Sequence, residues 1–104
     1  MTQKRILIAN RGEIALRIIR SAKEMDLHTI AVYSDADEDA LHTKRADESY
    51  YLGGSLPAES YRNLKKLVKA AEETNADLVH PGYGFLAENP DFAKAIEKKG
   101  LTWI

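Results

Sequence analysis

Residues 80–90, HPGYGFLAENP, bring together several residue types that could do chemistry. A histidine or tyrosine can transfer a proton or bind a ligand, and glycines let a backbone approach a phosphate. Histidine and acidic side chains can also hold a metal ion. The same letters fit a tight turn before a helix, because glycine accepts positive φ and Asn-Pro is typical of a helix start. A catalytic loop, a phosphate site, a metal site and a simple turn are all compatible with this segment.

A second candidate segment, Asn10-Arg11-Gly12, follows a short apolar run. Dinucleotide-binding proteins place G-x-G-x-x-G at such a turn, so that the backbone can approach a pyrophosphate. Here the turn has one glycine, and the neighbouring Glu13 would repel a diphosphate. Asp35 follows the second apolar run, where an acid could hold a ribose, but this signal is weak without the glycines. The sequence therefore disfavours a dinucleotide site.

Metal binding and nucleophilic catalysis are also disfavoured. The three histidines, at positions 28, 42 and 80, do not have the spacing of metal ligands. The chain has no cysteine, and no serine stands in a strand–turn–helix context. Tyr83 remains as a side chain that could hydrogen-bond to a ligand or stack on one, although a tyrosine between two glycines could equally fill a gap in the loop.

Composition places the chain among ordinary globular domains. It has 104 residues, 44% hydrophobic and 30% charged, which corresponds to one domain with a single core. A net charge of −1 gives no sign of a nucleic-acid or membrane partner. The lack of cysteine fits a reducing compartment, and the first apolar run is too short for a signal peptide or a membrane span. We expect a cytoplasmic protein.

Apolar runs and helical periodicity alternate along the chain. Five short runs predict strands at residues 5–9, 28–33, 49–52, 76–80 and 101–104. A helix over residues 13–25 is predicted to carry an apolar face made of Ile14, Ile18, Ala22 and Met25. A weak helical turn runs through Lys44 after the acidic residues 34–39. Ser60 is predicted to cap a helix whose apolar face holds Tyr61, Leu64, Val68 and Ala71.

The alternation predicts an α/β fold, a Rossmann-like open parallel sheet of about five strands with helices on both faces. Asn89 followed by Pro90 predicts the start of the last helix, which Gly100 ends. In this topology the first and fourth strands are neighbours beside the switch point, where ligands bind. The loops at residues 10–12 and 80–90 would then meet and form a site, or Gly12 and Gly82 would merely allow turns. The last strand has no loop after it, so we expect the chain to be part of a longer polypeptide.

The predicted first helix also carries a charged stripe. Glu13, Arg17, Arg20 and Glu24 are spaced four, three and four residues apart on its polar face. Each acid lies four residues from an arginine, so local ion pairs are expected. The stripe is either a solvated, self-paired surface or a polar interface in which a symmetric partner uses the same charges.

Taken together, three segments make the chain recognisable. ILIANRGEIALRIIRSAKE at 6–24, YSDADEDALHTKRADESYYLG at 33–53 and HPGYGFLAENPDFA at 80–93 resemble the N-terminal subdomain of biotin carboxylase, which precedes an ATP-grasp domain. Biotin carboxylase is the ATP-dependent component of acetyl-CoA, propionyl-CoA and pyruvate carboxylases. Urea carboxylases share these motifs, so the resemblance does not identify the final acceptor.

The resemblance implies a reaction and a set of partners. In this family ATP phosphorylates bicarbonate to carboxyphosphate, and the released CO2 carboxylates biotin on a carrier protein. Residues 1–104 would be the N-terminal domain, with the ATP-grasp and C-terminal regions outside this chain. The implied cofactors are biotin, ATP and Mg²⁺ or Mn²⁺ in the full-length enzyme, with none expected on this chain. The implied partners are the remainder of biotin carboxylase, biotin carboxyl carrier protein, the carboxyltransferase component and a second copy in a homodimer.

The resemblance also implies roles for individual residues, none of them catalytic and none a metal ligand. Tyr83 and Gly84 would lie near the biotin ureido ring and position the substrate. Arg17, Arg20 and Glu24 would lie at the homodimer interface, which favours the second interpretation of the stripe. Structural roles in the loops are implied for Asn10, Arg11, Gly12, Glu13, His80, Gly82, Phe85, Glu88 and Asn89. Of these, Asn10, Arg11 and Glu13 are expected to brace the neighbouring loop. The alternative is a non-catalytic folding or dimerisation module.

Overall fold

A five-stranded parallel sheet organises the chain, whose computed structural model describes residues 3–104. The strands are β1 (Arg5–Ile8), β2 (His28–Ser34), β3 (Glu48–Gly53), β4 (Leu78–His80) and β5 (Thr102–Trp103). The helices are α1 (Gly12–Glu24), α2 (Leu41–Arg45), α3 (Leu64–Glu73) and α4 (Pro90–Lys98). Short 3-10 turns lie at Asp35–Asp37 and Pro57–Glu59. The strand order is β3-β2-β1-β4-β5, which confirms the predicted fold class.

Side chains of β1 alternate between the two faces of the sheet and divide the core in two. Ile6 and Ile8 pack in a cluster with α1, whereas Leu7 packs in a second cluster with α3 and α4. All three are at most 3% exposed. A strand buried on both faces needs a continuous apolar run, and this is why residues 5–9 carry so clear a signal. Helices therefore cover both faces, as predicted.

The buried face of α1 differs from the predicted one. Its buried residues are Ala15, Leu16, Ile19 and Ala22. Ile14 and Ile18 are half-buried, and Met25 is 72% exposed, so the prediction was wrong for Met25. The apolar stripe of α1 is wider than its contact with the sheet, because α1 packs over β1 and β2 and against α2. The side facing β4 and β5 borders an apolar groove of about 580 Å³ that Ile18, Met25, Leu78 and Ile104 help to line.

The start of α3 also differs from the prediction. Asn63, not Ser60, is the N-cap, and its Oδ1 accepts a hydrogen bond from the Lys66 backbone N–H at 3.1 Å. The Ser60 hydroxyl donates instead to the Leu56 carbonyl at 3.0 Å and belongs to the preceding turn. Tyr61 therefore lies before the helix rather than on its apolar face. Among the predicted core residues of α3, Ala71 is buried, and Leu64 and Val68 pack half-buried against the same cluster.

The predicted start of α4 is confirmed. Asn89 is the N-cap, and its Oδ1 accepts from the backbone N–H groups of Asp91 at 2.8 Å and Phe92 at 3.3 Å. Pro90 occupies the first helical position, where its missing N–H is not needed. The helix ends before Gly100, whose φ of +80° favours glycine. Within residues 3–104, none of the helices combines the length and apolar character needed to span a bilayer.

Candidate functional site

The loops after β1 and β4 meet at the carboxyl edge of the sheet, as the topology predicted. Ile8 is in register with His80, and the Ala9 N–H donates to the His80 carbonyl at 2.9 Å. From β1 the chain adds β2 and β3 on one side and β4 and β5 on the other, so the switch point of the sheet lies between β1 and β4. Ligands collect at such switch points in open α/β sheets. The two sequence segments that could do chemistry are therefore neighbours in space.

Asn10 ties the two loops together. Its side-chain Nδ2 donates to the Pro81 carbonyl at 2.9 Å and to the Tyr83 carbonyl at 2.7 Å. Its Oδ1 accepts from the Arg11 backbone N–H at 2.8 Å, so the amide has partners on both ends. The residue is 1% exposed. Since a buried amide is costly unless it is hydrogen-bonded, this geometry fixes the backbone of residues 81–83 over β1.

Position 82 requires glycine both for its backbone conformation and because a side chain there would clash with neighbouring residues. Its φ is +70°, and a Cβ at this position would lie 2.9 Å from both Asn10 Nδ2 and Ile14 Cγ2. Gly84 has a similar φ of +76°, but a Cβ there would meet nothing within 4 Å. Gly12, at the start of α1, also has open space and a φ of +61°. Of the three, only Gly82 is confined by its neighbours.

His80 shapes the first turn of the loop. Its Nδ1 accepts a hydrogen bond from the Gly82 N–H at 3.0 Å. Burial lowers the pKa of His80, because the charged imidazolium would lose its hydration. An acceptor nitrogen and a lowered pKa both favour the neutral ring. His80 thus holds the turn as a neutral hydrogen-bond acceptor.

Tyr83 lies at the mouth of a cleft between the two loops. Its side chain is 77% exposed, whereas Asn10 and Gly82 beneath it are tightly held. The cleft has a volume of about 450 Å³ and is lined by Asn10, Arg11, Gly12, Glu13, Ile14, Arg62, Tyr83, Gly84 and Phe85. The phenol ring of Tyr83 and the guanidinium of Arg62 offer a flat surface and hydrogen-bond donors to a small polar heterocycle.

Arg11 does not bond to the 80–90 loop, although the sequence led us to expect it as a brace for that loop. It forms a bidentate ion pair with Asp37, with Nε at 2.6 Å from Oδ2 and Nη2 at 2.7 Å from Oδ1. Asp37 also accepts from the Tyr61 hydroxyl at 2.7 Å. We call Arg11, Asp37 and Tyr61 the carboxyl-edge cluster. It links the loop after β1 to the segments that follow β2 and β3.

Burial and hydrogen bonding together set the protonation states of the carboxyl-edge cluster. Asp37 is 3% exposed and Tyr61 is 2% exposed. The hydrogen bond from Arg11 outweighs desolvation and lowers the pKa of Asp37. Burial, followed by the hydrogen bond to Asp37, raises the pKa of Tyr61. The cluster is therefore a charged carboxylate held by a guanidinium and a protonated phenol.

Sequence reasoning missed this cluster. Residues 34–39 contain four acids, and nothing in their local pattern distinguishes Asp37 from its neighbours. Asp35, singled out as a weak ribose-binding candidate, accepts instead from the Tyr51 hydroxyl on the surface. The one available signal was the spacing of Asp37 and Tyr61 after consecutive strands, since such residues return to the same edge of a parallel sheet.

His42, which belongs to α2, packs against the N-terminal end of α1. It is 1% exposed; its Nδ1 accepts from the Gly12 N–H at 3.4 Å, and its Nε2 lies 3.2 Å from the Val32 carbonyl. These contacts require the proton on Nε2, and burial lowers the pKa of His42. The exposed Glu13 stands beside the same helix end. A helix N-terminus with a satisfied first donor and an adjacent carboxylate does not suit a phosphate group.

The charged stripe of α1 faces outward. Arg17 Nε lies 3.6 Å from Glu13 Oε1, and both side chains are mainly exposed, so Glu13 does not brace the loop as expected. Arg20 and Glu24 are exposed and form no ion pair within 4.0 Å to any partner in the described part of the chain. The interface role of Arg17, Arg20 and Glu24 stays a prediction.

The remaining residues of the motif serve the loop and the next helix. Asn89 caps α4, and Glu88 beside it is exposed. Phe85 packs half-buried at the edge of the core, with its ring stacked on that of Tyr61 at a centroid distance of 5.4 Å. Across residues 3–104, no three His, Asp or Glu side chains converge in a way that could hold a metal ion.

The chain matches a known family along almost its whole length. Residues 2–104 match the model described as biotin carboxylase, N-terminal domain. The chain is 50% identical over 102 residues to a pyruvate carboxylase of Staphylococcus aureus, covering 97% of this chain and 9% of that protein. It is 52% identical over 101 residues to biotin carboxylase 1 of Bacillus subtilis, covering 97% of this chain and 22% of that protein.

Solved structures agree with the sequence comparison. The crystal structure of a urea amidolyase from K. lactis superimposes with a TM-score of 0.94 at 43% identity, over 96% of this chain and 6% of that one. The chain thus spans between 6% and 22% of the length of these three relatives. It belongs to the family of biotin carboxylase N-terminal domains.

Proposed function

We propose that this member of the biotin carboxylase N-terminal domain family works within a longer ATP-dependent biotin carboxylase. That enzyme would carboxylate carrier-bound biotin using ATP and bicarbonate. The observation that carries the proposal is the family match over residues 2–104, together with about half of all positions identical to those of carboxylases. The chain would be the N-terminal domain, with the ATP-grasp and C-terminal regions supplied by the remainder of the polypeptide.

Within that enzyme, this domain would form one wall of the biotin site. Tyr83 and Gly84 stand at the mouth of the cleft between the loops after β1 and β4. The ureido ring of biotin is flat and has polar edges, which suits an exposed phenol with the guanidinium of Arg62 nearby. Tyr83 would position the ring rather than transfer a proton, since the tyrosine hydroxyls that bond to a carboxylate in residues 3–104 are those of Tyr50, Tyr51 and Tyr61.

ATP and its Mg²⁺ or Mn²⁺ would bind outside this domain. The first N–H of α1 is directed at His42, and Glu13 lies beside it, so this helix end does not fit ATP phosphates. Residues 3–104 also hold no cluster of metal-binding side chains. The groups that stabilise phosphoryl transfer would therefore come from the other regions of the polypeptide.

The partners would be those of a biotin-dependent carboxylase. These are the remainder of biotin carboxylase, biotin carboxyl carrier protein, the carboxyltransferase component and a second copy in a homodimer. The outward-facing Arg20 and Glu24 on α1 support the homodimer, because two antiparallel copies of α1 that cross midway between these two residues would place each Arg20 beside the Glu24 of the other copy.

Substitution of Tyr83 tests the biotin-site proposal. In the full-length carboxylase, Tyr83→Ala should raise the KM for free biotin about tenfold, which corresponds to the loss of one good contact. The KM for ATP should not change, because ATP would bind outside this domain. Tyr51→Ala is the matched control, since Tyr51 is also exposed but lies on β3. Equal KM values for the two variants would contradict the proposal.

The isolated chain gives a second test. Purified residues 1–104 should show no bicarbonate-dependent hydrolysis of ATP, and calorimetry should detect no ATP or NAD binding. Robust turnover by this chain would overturn the assignment of the catalytic groups to other regions.

A non-catalytic folding or dimerisation module is the second candidate, and the exposed stripe favours it. In the 104-residue chain, Arg20→Glu or Glu24→Arg should weaken the dimer measured by analytical ultracentrifugation, whereas the double exchange should restore it. A dimer whose affinity is the same in all three variants and the wild type would rule out the stripe as its interface.

A further inference from the structure

The carboxyl-edge cluster lies next to residues 80–90, which we call the Tyr83 loop. Asp37 and Tyr61 do not line the cleft between the two loops. Asp37 accepts three hydrogen bonds, two from Arg11 and one from Tyr61. The Tyr61 hydroxyl in turn accepts from the Ser34 N–H at 3.2 Å. None of the buried side-chain nitrogen and oxygen atoms in residues 3–104 lacks a partner. A fully satisfied polar cluster of this kind holds its members in one arrangement.

Phe85 connects this cluster to the loop. The Phe85 and Tyr61 rings are stacked, with centroids 5.4 Å apart and an interplanar angle of 28°. Phe85 has a φ of +48°, a backbone conformation that a bulky side chain adopts only when its surroundings hold it there. The ring of Tyr61, itself fixed by Asp37, supplies such a hold.

Asn10 and Arg11 therefore act on opposite ends of the same loop. Asn10 binds the carbonyls of Pro81 and Tyr83 directly. Arg11 acts on the other end through Asp37, Tyr61 and Phe85. The Tyr83 backbone is held at the first attachment and lies two residues before the second, whereas the residue as a whole is 77% exposed. Its position thus depends on the backbone of residues 81–85 rather than on contacts of its ring.

We propose that Asp37 and Tyr61 are positioning residues for Tyr83, acting through the stack of Tyr61 on Phe85. The structural part of this proposal concerns only the order of the loop. Its consequence for biotin rests on the function proposed above. Neither residue touches the substrate in this scheme; both determine where the Tyr83 ring is presented.

Amide relaxation of the isotope-labelled 104-residue chain tests the structural part. Tyr61→Phe removes the hydroxyl that binds Asp37 and Ser34 but keeps a ring in place. The order parameters of the Tyr83 and Gly84 amides should fall from about 0.85 to below about 0.6. Those of β1 and β4 should stay at their wild-type values, which distinguishes loop positioning from a general loss of stability.

Tyr50→Phe is the matched control. The Tyr50 hydroxyl also donates to a carboxylate, Glu73 Oε2, at 2.7 Å, but on the exposed surface of β3. Its removal should leave the Tyr83 loop unchanged. If Tyr61→Phe does not fold, Phe85→Leu removes the stack from a half-buried position and should give the same loop disorder. Loop amides that remain rigid in every folded variant would overturn the proposal.

A kinetic measurement separates this proposal from the proposed function. In the full-length carboxylase, Tyr61→Phe should raise the KM for free biotin severalfold, and less than Tyr83→Ala does. A disordered loop with an unchanged KM would leave the positioning role intact and contradict the biotin-site assignment. A rigid loop with a raised KM would contradict the positioning role and leave the biotin site intact.

Discussion

The two edges of the sheet each hold a carboxylate between an arginine and a ring-bearing donor. At the carboxyl edge, Asp37 is held by Arg11 and Tyr61. At the amino edge, Glu48 is held by Arg5 and by His28 Nε2, which lies 3.0 Å from Glu48 Oε1. The chemistry is similar, but the Asp37 side chain is 5% exposed and the Glu48 side chain is 35% exposed. Burial therefore separates two otherwise comparable sites.

The difference in burial follows from what the two edges connect. Arg5, His28 and Glu48 are the first residues of three adjacent strands, so their cluster joins strand ends that the sheet already aligns. Burial opposes ionisation of Glu48, but the hydrogen bonds from His28 and Arg5 together lower its pKa. Asp37 instead joins loops that no ladder of backbone hydrogen bonds aligns. The buried ionic cluster, whose members are all hydrogen-bonded, therefore fixes a geometry that the backbone alone does not.

Removal of the two carboxylates is the strongest test of this contrast. Asp37→Ala should lower the free energy of unfolding by about 3 kcal/mol, because it leaves a buried phenol without its acceptor and a guanidinium without its partner. Glu48→Ala should cost less than about 1 kcal/mol, as expected of a solvent-screened pair. Urea denaturation followed by circular dichroism measures both. Similar losses for the two variants would show that burial does not determine the energetic weight of these sites.

Gly82 and Gly84 provide a second comparison, within the loop at the carboxyl edge. Gly82→Ala should destabilise the chain by about 2 to 3 kcal/mol, since it adds a steric clash with Asn10 and Ile14 to the strain of positive φ. Gly84→Ala is the matched control and should cost only about 1 kcal/mol, because its Cβ meets open space. Thermal unfolding of both variants provides the measurement. A larger loss at Gly84 would mean that the contact of Gly82 with Asn10 has no energetic importance.

The carboxyl edge should also make stability depend on pH. Burial lowers the folded-state pKa of His42 and His80, so the unfolded chain binds more protons below the ordinary histidine pKa of about 6.5. Stability should be complete above that pH and decrease as pH falls through the lowered pKa values. Between pH 6.5 and pH 5 the loss cannot exceed about 2 kcal/mol per histidine.

Chemical denaturation at a series of pH values tests this dependence. His42→Gln should flatten the decrease between pH 6.5 and pH 5, since it removes one of the two groups. A slope that is the same in the variant and the wild type would show that His42 takes no part in it.

The smallest effect is expected on the exposed face of α1. Glu13→Gln removes the pair with Arg17, in which both side chains are mainly solvent-exposed. The free energy of unfolding should change by less than about 0.5 kcal/mol, as is usual for exposed pairs at this helical spacing. A loss above 1 kcal/mol in urea denaturation would mean that this stripe stabilises the isolated domain.

The sequence predicted the fold better than it predicted the site. Every strand lies within a few residues of its predicted position, and the meeting of the two loops followed from the topology. The buried face of α1 was less predictable, because its apolar stripe exceeds what the sheet covers and Met25 stays exposed. Ser60 and Asn63 are both good N-cap residues, and only the path of the preceding turn determines which one caps α3.

The sequence alone determined those features whose causes are local. The cap at Asn89, the strand at Arg5–Ile8 and the family motifs are all legible within a few neighbouring residues. Only the tertiary structure identified Asp37 as the buried acid among its acidic neighbours. Its partners lie 26 and 24 residues away and come within hydrogen-bond distance because parallel strands return their following segments to one edge. A side chain that gains its role from such long-range neighbours leaves no periodic or adjacent signal in the sequence.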